Sequence, residues 1–263
     1  DARQQVFMAS TPLGEMMMSN IVATIPGRRT DRIILASHYD TKRAPNFRFV
    51  GASDGASSTA ALLELGRVLK ARQNEFTIEL LFLDGEEAVN WEWQDPDNTY
   101  GSRYYVDAAR KASTIGSIRA MILLDMIGDK NLLIKRDSYS TPWLVDAIWG
   151  AAARLGHGEF SSQLSTVEDD HLAFLRAGIP SVDIIDLDPL AQRSVVLAAD
   201  GTDVLGVLHR EQNRKVVTFD QITAVFVATV LAVEDRGFYE QGGIDVRSMI
   251  RALYDPVYRH WFR

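Results

Sequence analysis

The chain has 263 residues, of which 46% are hydrophobic, and its formal net charge is −7. That length and apolar content are sufficient for one α/β domain with a full core, and the acidic balance argues against nucleic acid or an anionic membrane surface as the main partner. Cysteine is absent, which excludes disulfide bonds, thiolate zinc sites and a cysteine nucleophile. Any zinc would have to be held by histidine and carboxylate side chains. No apolar run reaches the length of a membrane span, so we expect none.

Short apolar runs alternate with longer segments of helical period, which predicts a three-layer α/β/α fold around a twisted, mixed and mostly parallel sheet. The candidate strands, in chain order, are Asn20–Ile25, Arg32–Ser37, Thr77–Leu83, Ala120–Met126 and Ser181–Asp186. The candidate helices begin near Ser53, Tyr100, Thr141, Val167 and Thr218, and a shorter one begins near Ile244. No repeat or low-complexity linker interrupts this pattern, so a single domain is expected over residues 1–263.

Polar side chains follow three of the predicted strands at the point where each strand ends. His38 follows one strand, Glu86 and Glu87 follow the next along the chain, and Asp125 closes the third, while Asp54 opens a helix. Because the carboxyl ends of strands in an open α/β sheet meet at one crevice, we expect these side chains to converge. Burying two adjacent glutamates after a strand costs free energy unless a cation or a hydrogen-bond donor interacts with their charges. Because consecutive side chains point in different directions, one carboxylate can bind a cation while the other faces a substrate. The pattern therefore predicts a metal site with its own proton carrier.

Each of these residues also has an ordinary structural interpretation. Asp54 is of the right type to cap a helix, and His38 beside Asp40 would be a normal hydrogen-bonded core residue. The acidic pair Asp169–Asp170 precedes an amphipathic turn, where negative charge favours the helix dipole, although a carboxylate there could also share a proton with Glu86. The coincidence of all of them at equivalent topological positions favours a functional site.

Trp91 and Trp93 lie just beyond the paired glutamates, in a polar segment that we predict to be a loop. Exposed tryptophan beside a charged site is typical of a pocket wall rather than of a core.

Six short motifs carry a family resemblance, and they are Ser37–Lys42, Gly51–Ala56, Phe82–Ala88, Tyr100–Arg103, Leu123–Gly128 and Asp169–Leu175. In these motifs, taken in order, the chain resembles the zinc-dependent M28 peptidase superfamily. Within that superfamily it looks most like the glutaminyl cyclase branch, the glutaminyl-peptide cyclotransferases, because of the Gly-Glu-Glu-Ala piece, the tryptophan before Tyr-Gly-Ser-Arg and the Asp-Asp-His piece. Each motif alone is weak, but six in the family's order are specific.

The resemblance implies a single zinc ion held by Asp54, Glu87 and a histidine near the carboxy terminus. The later candidates are His209 and His260, and we choose His209 because it precedes an apolar helix as the family's histidine does. Two features depart from the family: Leu208 stands where tryptophan is usual, and the stretch before it is longer. The tail after about residue 187 is therefore expected to be atypical.

The resemblance also implies roles for the remaining site residues. Glu86 would be the proton carrier, Asp125 and Asp170 would be its hydrogen-bonding partners, and Trp93 would form a wall of the substrate pocket. Trp93 rather than Trp91 keeps the family's spacing back from the Tyr-Gly-Ser-Arg motif, at the cost of one extra residue after the paired glutamates.

These implications predict an enzyme that converts amino-terminal glutamine of peptides to pyroglutamate and releases ammonia, with peptide or protein amino termini as its partners. One alternative is a di-zinc aminopeptidase, in which His38 and Asp125 would help to hold a second zinc and Glu86 would activate water. Another is a non-catalytic relative, which the atypical tail suggests. The chain starts at Asp1 rather than Met, which fits a removed signal peptide, and the expected location is extracytoplasmic, either periplasmic or secreted. The oligomeric state stays open.

Overall fold

The structure, a computed structural model, describes residues 2–45 and 49–187, together with the backbone of 194–197 and 204–208. All of them lie within one compact unit of the chain, Asp1–Val217. His209, His260 and the helices expected near Thr218 and Ile244 lie outside the described residues. The single domain over residues 1–263 therefore stays a prediction, as does the atypical character of the tail.

The described residues form ten strands and four α-helices. The strands are β1 (Ala2–Thr11), β2 (Gly14–Ile25), β3 (Arg29–His38), β4 (Phe76–Leu83), β5 (Ile118–Asp125), β6 (Ile134–Asp137), β7 (Phe160–Ser165), β8 (Ser181–Ile185), β9 (Ser194–Leu197) and β10 (Val204–Leu208). The helices are α1 (Ala56–Lys70), α2 (Tyr100–Lys111), α3 (Pro142–Leu155) and α4 (His171–Leu175), and a 3-10 turn covers Ile115–Ser117. Within this part of the chain, no helix is long and apolar enough to cross a membrane.

Six strands form the central sheet, in the order β1-β2-β4-β3-β5-β8. The strands β4, β3, β5 and β8 run parallel to their neighbours, whereas β1 and β2 add an antiparallel edge. Outside this sheet, β6 pairs with β7 and β9 pairs with β10. The mixed, mostly parallel sheet of an α/β fold is thereby confirmed.

The two faces of the sheet are covered by different helices, because successive side chains of a strand point to opposite faces. One face of the parallel strands packs against α2 and α4, through residues such as Leu123 and Phe174. The opposite face packs against α1 through Leu62 and against α3 through Trp149. The result is the three-layer α/β/α arrangement expected from the sequence.

The carboxyl ends of the parallel strands deliver polar groups to one edge of the sheet. His38 is the last residue of β3 and Asp125 is the last residue of β5, and His38 is paired in register with the final residue of β4. The chain then returns to this edge at Gly55, whose φ of 89° is in the left-handed region. A Cβ at Gly55 would lie 2.7 Å from the carbonyl oxygen of Asp40, so only glycine allows α1 to start this close to the site.

Candidate active site

His38 lies at the centre of the polar cluster, and its side chain is 1% exposed. Its Nε2 is 3.0 Å from Asp125 Oδ1 and 3.3 Å from Asp54 Oδ1. Its Nδ1 is 3.5 Å from both Asp40 Oδ1 and Glu86 Oε2. Burial acts to lower the pKa of His38, but the charges of Glu86 and Asp125 outweigh it and hold the pKa well above its ordinary value. The imidazole therefore acts as the cation of an otherwise acidic cluster.

Three buried residues could hold a metal ion. His38, Asp54 and Asp125 each offer one ligand atom, and these atoms lie within 4.8 Å of one another. Imidazole nitrogen and carboxylate oxygens are the donor types that zinc accepts in the absence of thiolates. This cluster is the candidate metal site that the structure supports, and it includes Asp54, which the family resemblance also implied as a metal ligand.

Glu87 adds a further candidate ligand next to this cluster. Its Oε2 lies 3.5 Å from Lys42 Nζ, whereas Oε1 is buried without a hydrogen-bond partner among the described residues. Burial, and then the neighbouring Asp54 carboxylate, raise the pKa of Glu87 to about 8. A buried carboxylate oxygen without a partner, beside a second carboxylate, is the environment that a bound cation would stabilise. The residues present thus fit a metal, and the ligand set of Asp54, Glu87 and His209 stays a prediction because His209 is not described.

The backbone around the paired glutamates is anchored by two side chains. Asp40 accepts the backbone N–H of Glu86 at Oδ1 and that of Glu87 at Oδ2, each at 3.1 Å. The buried Lys42 donates from Nζ to the carbonyl of Ala88 at 2.8 Å. Because both anchors come from the segment that follows β3, the two glutamates are fixed relative to His38. Lys42 belongs to a motif that the sequence singled out, but its role there was not predicted.

Glu86 faces a different group of charges from Glu87. Burial raises the pKa of Glu86 well above its ordinary value, and the carboxylates of Asp169, Glu87 and Asp125 raise it further, against an opposing effect of His38. Asp169 is thus the member of the Asp-Asp-His motif whose charge acts on Glu86.

Asp170, which the family resemblance implied as a partner of Glu86, lies beside Ser102. Burial raises the pKa of Asp170 to about 7, and both of its carboxylate oxygens are buried without a hydrogen-bond partner among the described residues. Its proposed role stays a prediction, while Asp169, which the sequence offered only as one of the two adjacent acids that could share a proton with Glu86, is the one whose charge acts on it. Adjacent aspartates look equivalent in a sequence, and only the direction of each side chain distinguishes them.

The tryptophan segment forms a loop, as predicted, and the structure shows what holds it. Asp97 accepts the backbone N–H groups of Val89 at 2.9 Å and Asn90 at 2.8 Å, and the hydroxyl of Tyr100 at 2.7 Å. In this loop Trp93 is 36% exposed and Trp91 is 63% exposed. The pocket-wall role of Trp93 stays a prediction, and its lower exposure is consistent with it.

Within this loop, the side chain of Asn98 holds the indole ring of Trp93. With the Asn98 amide oriented so that its oxygen faces the indole, Trp93 Nε1 donates to it at 3.2 Å, and the amide nitrogen donates to Asp95 at 3.0 Å. Trp91 has no comparable contact described in this loop, so the two indoles differ in how firmly they are held.

The family model for peptidase family M28 matches residues 20–226. The chain belongs to peptidase family M28. A second model, described as transglycosylase, matches residues 201–261. The first match spans every motif that carried the resemblance, whereas the second begins only after the last of them.

Within family M28 the chain is similar to glutaminyl cyclases, which confirms the branch expected from the sequence. It is 32% identical over 207 residues to the glutaminyl-peptide cyclotransferase-like protein of Bos taurus, a match that covers 68% of this chain and 54% of the relative. The chain thus spans about half the length of the curated relatives it matches.

The chain is also similar to solved structures of glutaminyl cyclases, and one of these matches covers more of the chain than the curated relative does. A glutaminyl cyclase from an Acidobacteriales bacterium is 37% identical with a TM-score of 0.70, and the match covers 89% of this chain and 77% of that one. A structure described as a leucine aminopeptidase precursor from Bacteroides thetaiotaomicron is 30% identical with a TM-score of 0.62, and covers 70% of each chain.

Proposed function

We propose that this protein is a zinc-dependent glutaminyl-peptide cyclotransferase that converts amino-terminal glutamine of peptides to pyroglutamate and releases ammonia. The observation that carries the proposal is the divergence of the paired glutamates. Glu87 lies beside Lys42 and Asp54, while Glu86 lies against His38 and interacts with Asp169. One carboxylate is therefore available to a metal and the other to a substrate proton. The similarity to glutaminyl cyclases supports the same assignment.

The proposed reaction is an intramolecular acyl transfer. The α-amine of the substrate attacks the carbon of the glutamine side-chain amide, a new C–N bond closes the ring, and the old C–N bond breaks to release ammonia. Glu86 accepts the proton from the amine and delivers it to the departing nitrogen. The chemistry that zinc supplies when bound, held by Asp54, Glu87 and the predicted ligand His209, is polarisation of the amide carbonyl.

The remaining residues of the site orient the reacting groups. Asp169 and Asp125 act on the charge of Glu86 and so help it to hold and return a proton. The loop that carries Trp93 would fold the glutamine side chain back towards its own amine, which is the geometry that accelerates an intramolecular reaction.

A second candidate function is that of a metallo-aminopeptidase. It is favoured by the His38, Asp54 and Asp125 cluster, which offers a metal site distinct from Glu87, and by the similarity to the structure described as a leucine aminopeptidase precursor. In that enzyme Glu86 would activate water, and the product would be a free amino acid.

Ammonia release from a peptide that begins with glutamine tests the proposal directly, with mass analysis of the product and zinc counted per chain. We expect loss of one ammonia from an otherwise intact peptide and one zinc per chain. The variant Glu86→Gln should abolish the reaction, while Glu64→Gln, which changes an exposed glutamate on α1, should not. Release of free amino acid with two zinc ions per chain would establish the aminopeptidase instead, and no product from a zinc-loaded sample would favour a non-catalytic relative.

A further inference from the structure

A second cluster of buried ionisable side chains takes no part in the proposed reaction. His171 Nε2 is 3.2 Å from Asp137 Oδ2, and His171 Nδ1 is 4.0 Å from Asp183 Oδ2, but neither nitrogen meets hydrogen-bond geometry among the described residues. All three side chains are fully buried. An imidazole between two buried carboxylates is costly compared with an apolar core of the same volume, so its retention calls for a specific role.

Asp137, at the end of β6, connects this group to the segment that leads into the site. Its Oδ1 accepts the backbone N–H of Val167 at 3.0 Å, and its Oδ2 accepts the backbone N–H and the hydroxyl of Ser140 at 2.7 and 2.8 Å. The Ser140 hydroxyl in turn accepts the backbone N–H of Asp183 at 3.0 Å. One carboxylate thus fixes both the approach to α4 and the strand β8.

Asp183 is the second carboxylate beside His171, on the Nδ1 side of the ring. It is in the middle of β8, and both of its carboxylate oxygens are buried without a hydrogen-bond partner in the part of the chain that the structure describes. The carboxylates that act on it most strongly are those of Asp169 and Asp125. The row Asp137, His171, Asp183 is therefore linked by charge to Asp169 and Asp125, the carboxylates that also act on Glu86.

The turn that carries Asp169 and Asp170 depends on these contacts for its position. The helix α4 that follows has five residues, and Asp170 at its amino terminus makes no side-chain cap hydrogen bond. A helix of one turn contributes little rigidity of its own. The polar anchors of the turn are instead the contacts of Val167 and His171 with Asp137.

We infer that His171 is a positioning residue, which lies against Asp137 and fixes the Asp169–Asp170 turn against Glu86. The inference rests on the proposed function, because it assigns the purpose of this placement to proton transfer by Glu86. Reacting groups must be held within about 0.5 Å of their productive geometry. A turn released by loss of His171 would move Asp169 away from Glu86, which should slow turnover without weakening the binding of substrate or metal.

The test compares three substitutions of His171 with a matched control on the same helix. In His171→Gln the amide nitrogen replaces Nε2 and keeps a donor for Asp137, in His171→Asn it replaces Nδ1 and points towards Asp183, and His171→Leu removes both. Phe174→Leu is the control, because Phe174 is equally buried on α4 and packs on Tyr105 without any polar contact to the row.

Cyclisation of a glutamine peptide is measured for each variant, together with zinc affinity and the folded fraction at the assay temperature. We expect kcat to fall on the order of 100-fold in His171→Leu, with KM and zinc affinity unchanged. His171→Gln should retain more activity than His171→Asn, because the shorter contact is the one to Asp137, and Phe174→Leu should keep its kcat. Equal losses of kcat in His171→Leu and Phe174→Leu, or full activity in His171→Leu, would overturn the inference.

Crystal structures of His171→Leu and Phe174→Leu separate this inference from the proposed function. If the wild-type protein forms no pyroglutamate, the proposed function fails, and the position of the Asp169–Asp170 turn decides the positioning role. Displacement of the turn in His171→Leu alone supports it, and an unmoved turn overturns it.

Discussion

Asp97 holds the loop between the paired glutamates and α2, and its replacement by asparagine measures how strongly that loop is held. The substitution keeps the size and shape of the side chain. It places an amide nitrogen where one carboxylate oxygen stood, so that if the Val89 and Tyr100 bonds persist, the new N–H₂ faces the backbone N–H of Asn90. One hydrogen bond is lost and the two others are no longer made to a charged acceptor.

The magnitude follows from those three contacts. A hydrogen bond to a charged group contributes about 1.5–3 kcal/mol, whereas a neutral one contributes about 0.5–1.5 kcal/mol. Loss of one bond and weakening of two others, offset by relaxation of the loop, should lower the free energy of unfolding by about 3 kcal/mol. For a domain of this size such a loss corresponds to a fall in Tm of about 6–12 °C.

The effect should also depend on pH. Burial acts to raise the pKa of Asp97, but the hydrogen bonds from Asn90, Tyr100 and Val89 outweigh it and hold the pKa below its ordinary value. Since the pKa is lower in the folded protein, the stabilisation is fully present above the unfolded value of about 3.9 and is lost as the pH falls through the folded value. The difference between wild type and variant should therefore be constant near neutrality and shrink below about pH 4.

Urea unfolding of wild type and Asp97→Asn, followed by tryptophan fluorescence at pH 7 and at several acidic values, checks both expectations. Asp107→Asn serves as the matched control, because Asp107 is an exposed aspartate on α2 and should change stability little. A loss at pH 7 no larger than that of the control, or a loss that persists unchanged to pH 3, would refute the reasoning.

Three further perturbations test other parts of the structure. Glu86→Gln should lower ammonia release by at least about 100-fold and leave zinc affinity unchanged, because it removes the proton carrier and not a ligand; a matching loss of zinc would contradict this. Asp40→Asn should lower zinc affinity about tenfold, measured by chelator competition, because one of the two oxygens that accept the backbone N–H groups of the paired glutamates becomes an amide nitrogen, which cannot accept. Arg32→Met should cost about 3 kcal/mol in urea unfolding by leaving the buried Glu79 without its cation at 2.8 Å, whereas Arg28→Gln, which breaks an exposed ion pair, should stay within about 0.5 kcal/mol.

The parallel core of the sheet could be predicted because its strands are continuous apolar runs between turn residues. The antiparallel edge could not be predicted in the same way. Strand β1 was missed and β2 starts at Gly14 rather than Asn20, because one side of this hairpin is open to solvent, with Met8 and Met17 exposed opposite each other. Apolar residues on the open face hide the alternation that identifies a half-buried strand.

The site was likewise predictable only in part from the sequence. The residue types and their place at strand ends were sufficient to gather His38, Asp54 and Asp125 into one cluster. The roles of Lys42 and Asp183 were not predicted, because an isolated lysine after a strand and an aspartate within an apolar strand carry no spacing signal. Their functions come from atoms that meet only after the chain has folded.

The same geometry bears on whether the site holds one metal ion or two. A metal bound through His38 would have to replace the contact of Nε2 with Asp125 at 3.0 Å, and would approach an imidazole that the surrounding carboxylates favour in its charged form. Coordination through Glu87 displaces only the proton that its raised pKa of about 8 favours and breaks no hydrogen bond of Oε1, which is buried without a partner in the described part of the chain. Folding has already removed water from that oxygen, so a cation that binds there does not have to displace it. The first ion should therefore bind at Asp54 and Glu87, and a second ion at His38 should bind more weakly.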